Sequence, residues 1–137
     1  MAPEAGKTYH IINLKTGNAL DLADDGRVTG YELHGGENQR WRVEHDGNHF
    51  TLQTDKGPYL SRWSEDEGTP VVGSNDSCYW DIWPDRNNGS VFRLYVPGAP
   101  TPMNIDLSDH GNPANGTPVT LWTEWEGEHQ AWKFEEC

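Results

Sequence analysis

Four landmarks recur in the same order three times along the chain, and any fold it adopts must accommodate that repetition. Each unit opens on a short apolar segment: TYHII (8–12), HFTLQ (49–53) and VFRLY (91–95). A turn and a second short segment follow, as TGNALDL (16–22), KGPYLSR (56–62) and TPMNIDL (101–107). GTPV then stands at 68–71 and again at 116–119, with VTGY (28–31) in the same slot. Each unit closes on a tryptophan, in NQRWRVE, CYWDIW and HQAWKFE, at Trp41, Trp80 and Trp132. Repeats of this length are supersecondary units that bury their apolar faces only against one another.

The segments are short, alternating and rich in β-branched or aromatic residues, which suits strands. Turn signals such as Lys-Thr-Gly-Asn, Asp-Asp-Gly and Asn-Asn-Gly separate them, and no stretch sustains a helical period. The expectation is an all-β chain, one domain over 1–137, with units at about 8–47, 48–89 and 90–137 and about four strands in each. Barrel closure would remove the strand edges. Alternation in NQRWRVE would turn Trp41 inward and Arg40 and Arg42 to water. Seven Trp, five Tyr and three Phe supply the large burial units. Trp63, Trp83 and Trp125 lie outside the closing slots and are expected to pack locally.

Ten Lys and Arg stand against 22 Asp and Glu, a net charge of −12. That argues against a phosphate-tracking nucleic-acid protein and against adsorption to an anionic membrane, since nucleic acid and such a membrane both attract basic patches. No apolar run reaches membrane-spanning length. The opening MAPEAGKTYHII lacks the pattern of a secretory signal, so a cytoplasmic protein is expected, with Cys78 and Cys137 as free thiols and the sequons at Asn75, Asn88 and Asn115 unmodified.

Gln39-Arg-Trp41 and Gln130-Ala-Trp132 match the Gln-x-Trp motif, and in the middle unit Cys78 replaces the glutamine. With its three ordered repeats the whole chain resembles the ricin-B-type β-trefoil lectins. Wording such as GYELHGG, NQRW, YWDIWPD and WEGEHQAWKFEE is similar to the small mushroom lectins of the Clitocybe nebularis group. The resemblance implies a β-trefoil and a carbohydrate pocket built from an Asp, a flat side chain under the sugar, and an Asn before the Gln. A carboxylate accepts from vicinal hydroxyls, an amide donates and accepts, and the apolar face of the sugar packs on the flat group.

On the first unit these positions fall at Asp21, His34, Asn38 and Gln39. Asp24, Gly26 and Arg27 of the intervening turn, with Leu33 and Gly35, complete the expected pocket. His34 replaces the usual aromatic platform, and Gly35-Gly36 would let backbone approach the ligand. Gln39 and Gln130 are expected to anchor turn backbone more than to touch ligand. A weaker site is expected in the third unit from Asp106, Trp122 as platform, His129 in place of the Asn, and Gln130. The second unit, with Ser61 and Ser74 in the corresponding slots, is expected to be structural.

The resemblance further implies a non-enzymatic lectin for terminal galactose or N-acetylgalactosamine, including lactose and GalNAc-containing glycans. It would act as a homodimer in fungal defence, without cofactor or metal. Asp21, Asp25, Gly26 and Glu32 fall at positions 1, 5, 6 and 12 of a calcium loop, but Ala23 stands at position 3 and no helices flank it. His45 and His49 bracket an Asp46-Gly47 turn, which argues against zinc. Two other classes share the fold: a protease inhibitor presenting a convex loop, and a lectin-like accessory subunit of an oxidase. Inhibition assays and co-purification separate them from a lectin.

Overall fold

The computed structural model describes residues 2–137. Among these, twelve strands form. The first unit contributes β1 (Thr8–Asn13), β2 (Ala19–Leu22), β3 (Val28–Tyr31) and β4 (Trp41–Asp46). The second contributes β5 (His49–Thr54), β6 (Tyr59–Ser61), β7 (Val72–Ser74) and β8 (Asp81–Pro84). The third contributes β9 (Phe92–Tyr95), β10 (Met103–Leu107), β11 (Thr117–Thr123) and β12 (Trp132–Glu136). Single helical turns occur at Glu37–Gln39, Ser108–Gly111 and Glu128–Gln130.

Six strands close a ring. β1 pairs with β4, β4 with β5, β8 with β9, β9 with β12, and β12 with β1. Phe50 in β5 bridges Trp80 just before β8, completing the circuit. Closure leaves the ring without an unpaired edge. The remaining strands form three hairpins, β2–β3, β6–β7 and β10–β11. These meet in a triangle through Thr117↔Gly30 and Pro118↔Thr29, Arg27↔Val72, and Pro70↔Thr120. A ring of six with three joined hairpins is the β-trefoil.

The repeated residues build this core. Trp41, Trp80 and Trp132 are fully buried, as are Leu20, Leu60 and Ile105 of the hairpins, while Val28, Val71 and Val119 are buried beside them. The Trp41 indole donates to the Leu20 carbonyl at 2.9 Å and the Trp80 indole to the Leu60 carbonyl at 3.0 Å. Each therefore ties the ring to its own hairpin. Trp132 fills the same place, but its buried N–H finds no partner among the described residues. Arg40 and Arg42 face outward, paired with Asp55 and Glu44. Two tryptophans depart from expectation: Trp63 is 70% exposed and Trp83 59%. Neither packs into the core, because both sit on loop or outer strand positions outside the inward alternation. Cys78 and Cys137 are unpaired thiols.

Candidate functional site

Gln39 organises the first unit. Its side chain is fully buried and makes four hydrogen bonds. The oxygen accepts from the backbone N–H of His34 at 2.9 Å and of Gly35 at 3.1 Å. The nitrogen donates to the Glu32 carbonyl at 2.9 Å and to Asp21 Oδ2 at 2.8 Å. One amide thus fixes both the loop after β3 and the carboxylate on β2. Asn38, on the same helical turn, donates to Asp21 Oδ1 at 3.0 Å and to the Leu22 carbonyl at 3.2 Å. Asp21 is 4% exposed, and its two oxygens are held by two different amides.

His34 closes the third side. Its Nδ1 accepts from the backbone N–H of Gly36 at 2.9 Å, which assigns the proton of the neutral ring to Nε2. Nε2 lies 3.6 Å from Asp21 Oδ2. A Cβ at Gly36 would stand 2.8 Å from His34 Cε1 and 3.1 Å from Asn38 Oδ1, so a glycine there lets the two side chains fold together. The Tyr31 ring meets His34 edge-on with centroids 6.0 Å apart.

These side chains share a hollow of about 520 Å³. Asp21, His34 and Asn38 line it, with Asp24, Arg27 and Tyr31 around the rim. Gly116 and Pro118, from the third unit, supply the far wall. Asn115 holds that wall in place, accepting from the Glu32 N–H at 2.8 Å. Gly26 turns the chain between β2 and β3 with φ of 90° but does not line the hollow. Gln39, Leu33 and Gly35 also lie outside the lining. Gln39 acts through the groups it holds, and Gly35 offers its N–H to Gln39. Asp24 extends into solvent, 3.2 Å from the Lys56 ammonium. The Asp25 carboxyl is held below its ordinary range by the Arg27 backbone N–H, and pairs with the Arg27 side chain at 3.1 Å. Asp25 is thereby engaged, and Glu32 bonds Asn115, so the calcium-loop residues do not converge.

The third unit repeats this frame with other side chains. Gln130 is again fully buried, donating to Asp106 Oδ2 at 2.8 Å and to the Thr123 carbonyl at 3.2 Å. It accepts from the Trp125 N–H at 3.1 Å and from Arg93 at 2.9 Å. The hydrogen bonds match Trp125, not Trp122, with His34. Strand register agrees: Ala19 pairs with Tyr31 and Asn104 with Trp122, two residues before Asp21 and Asp106 respectively. Trp122 therefore matches Tyr31, a correction to the platform assignment. The signal that locates Trp125 is its distance before the Gln, equal to that of His34. His129 takes the Asn slot, 3% exposed, with Nε2 3.2 Å from Asp106 Oδ2.

The second unit has no platform segment. Residues 32–38 separate Tyr31 from Gln39, and 123–129 separate Trp122 from Gln130, but only 75–77 separate Ser74 from Cys78. Ser74 pairs with Tyr59 and so occupies the Tyr31 slot rather than that of His34. Arg62 fills the space, its guanidinium 4.5 Å above the Trp80 ring and donating to Cys78 Sγ at 3.0 Å and the Tyr79 carbonyl at 2.7 Å.

Residues 1–73 match the model of a family described as ricin-type beta-trefoil lectin domain-like. Comparison with curated proteins gives no match. Among solved structures, the Macrolepiota procera ricin B-like lectin in complex with lactose is 38% identical, with a TM-score of 0.95 and 100% of both chains covered. The Rhizoctonia solani agglutinin is 34% identical, with a TM-score of 0.87, covering 100% of this chain and 99% of that one. ThreeFoil, a designed threefold-symmetric protein, is 20% identical at a TM-score of 0.84, covering 95% of this chain and 99% of its own, a likeness of fold alone.

Proposed function

Since this chain belongs to the ricin-type β-trefoil lectin family, whose coarse function is carbohydrate binding, we propose that its first-unit hollow binds terminal galactose or N-acetylgalactosamine. The observation that carries the reading is the convergence of Asp21, His34 and Asn38 on one hollow. The lactose held by a relative of 38% identity supports the choice of sugar.

Asp21 is a preset acceptor. Asn38 and Gln39 hold its oxygens without displacing all their lone pairs, so vicinal hydroxyls complete its coordination. Asn38 keeps its carbonyl oxygen for a hydroxyl donor, and the outward imidazole of His34 offers Nε2–H and a flat face. Because both amides are already anchored, little side-chain entropy is lost on binding. In this reading the sugar is held without turnover. The wider assignment follows from the resemblance: a homodimer presents two hollows, crosslinks cell-surface glycans by multivalency, and serves fungal defence from the cytoplasm.

A glycan array is the test. Signal should concentrate on glycans ending in galactose or N-acetylgalactosamine and disappear in Asn38→Ala. Signal that ignores galactosides, or that survives the substitution at full strength, overturns the proposal.

A further inference from the structure

The third unit carries a second hollow, of about 210 Å³, whose chemistry has moved away from that of the first. Tyr31 has become Trp122, His34 has become Trp125, and both indoles are exposed at 43% and 45%. The amide that lines the first hollow, Asn38, has its counterpart in His129, buried and turned onto Asp106. The site has therefore lost an outward hydrogen-bonding group and gained aromatic surface.

Its charge has changed as well. Asp106 and Asp109 line the hollow, and no Lys or Arg among the described residues does, whereas Arg27 lines the first hollow. Asp106 is 6% exposed. Its Oδ2 accepts from Gln130 and faces His129, but no donor among the described residues engages Oδ1. Asp106 lines the hollow. A carboxylate almost wholly removed from water, with one oxygen bonded by Gln130 and the other without a donor among the described residues, favours a cation.

A third ring is held beside the indoles at a conformational cost. Asp109 and His110 adopt φ of 58° and 53°, the left-handed region that disfavours residues other than glycine. Lys15 donates to the His110 carbonyl. The His110 ring meets Trp125 edge-on, with centroids 5.8 Å apart, and His129 at 5.9 Å. Indole faces attract cations through their quadrupole. A primary ammonium also needs acceptors for three N–H groups, whereas a methylated one has fewer or none to satisfy. Two exposed indoles lining one hollow with a buried carboxylate suit the methylated form.

We propose that the third-unit hollow binds a small methylated ammonium cation between Trp122 and Trp125, above Asp106. The site is separate from the first-unit sugar hollow, and its ligand needs no galactoside.

Choline is the probe, with 3,3-dimethyl-1-butanol as its neutral carbon isostere and galactose as the sugar control. Binding to the intact chain is read from the indole N–H resonances and tryptophan fluorescence. Choline should shift the indole signals that Trp122→Leu and Trp125→Leu variants identify, saturably and equally well in the presence of saturating lactose. The isostere should bind at least about tenfold more weakly, the range expected for a cation on an indole. Asp109→Asn keeps a side chain that tolerates the left-handed conformation, and should weaken choline about two- to threefold at low salt. Equal affinity for the isostere would make the hollow an apolar slot. Galactose that saturates the same indoles and displaces choline would make it a sugar site. An absence of saturable choline binding up to about 100 mM, beyond the weak millimolar range, overturns the proposal outright.

Discussion

Gln39 and Asn38 are adjacent amides with separate duties. Gln39 satisfies two loop N–H groups, one carbonyl and one carboxylate oxygen from a fully buried position. Removing it strands all four. We expect Gln39→Ala to lower stability by about 2–4 kcal/mol in denaturant unfolding, since buried unpaired groups cost about 1–3 kcal/mol each and some will recover water. Asn38 lies at the hollow's edge, where water can replace it, so Asn38→Ala should cost under about 1 kcal/mol by the same measurement. A similar loss from both variants would contradict the division. At this scale the sequence was legible where types recur: Asp21 with Asp106, and Gln39 with Gln130. Trp125 carries a weak signal, its distance before Gln130, but Trp122 competes for the slot in sequence, and only the backbone N–H that the Gln oxygen accepts decides between them. Nor does the sequence reveal that Gly116 and Pro118 wall the first hollow, since a join between units leaves no local pattern.

Among the elements, the three closing tryptophans look alike in sequence and differ in bonding. Trp41 and Trp80 donate to hairpin carbonyls, whereas the Trp132 N–H is buried without a partner among the described residues. Trp41→Phe should therefore cost about 1 kcal/mol more than Trp132→Phe, the net worth of one hydrogen bond, as read from paired thermal melts. β9 carries a second distinction. Arg93, 5% exposed, donates to Asp85 at 2.8 Å, to Asn104 at 3.2 Å and to Gln130 at 2.9 Å. Burial pushes the Asp85 carboxyl up, but the Arg93 side chain and the Asn87 and Asn88 backbone N–H groups together outweigh it, holding the group below its ordinary 3.8. A depressed folded value favours the folded state once the unfolded carboxyl ionises. That contribution is present above about pH 4 and is lost as pH falls through the folded value. Asp85→Asn should flatten the loss of melting temperature below pH 4, and an unchanged acid slope would count against this coupling. The expectation that the middle unit is structural rests on Ser61 and Ser74, and the structure adds a physical reason that the sequence does not display. The missing platform segment is placed only once β7 is in register with β6, and nothing in KGPYLSR marks Arg62 as the residue that covers Trp80.

For the molecule as a whole, threefold repetition built the scaffold and divergence set the sites. The ring, hairpins and tryptophan core were legible because burial imposes the same residue types in every unit. The hollows were less legible, because each rests on loop geometry and on contacts between units. The most direct measurement is a backbone amide chemical-shift titration of the intact chain with lactose. The largest saturable shifts should fall on Asp21, His34, Gly36 and Asn38, with smaller ones at Gly116, and the Trp122 and Trp125 amides should stay where they are. Shifts centred on Trp122 to His129, or none at Asp21 and Asn38, would contradict the assignment of the sugar to the first unit.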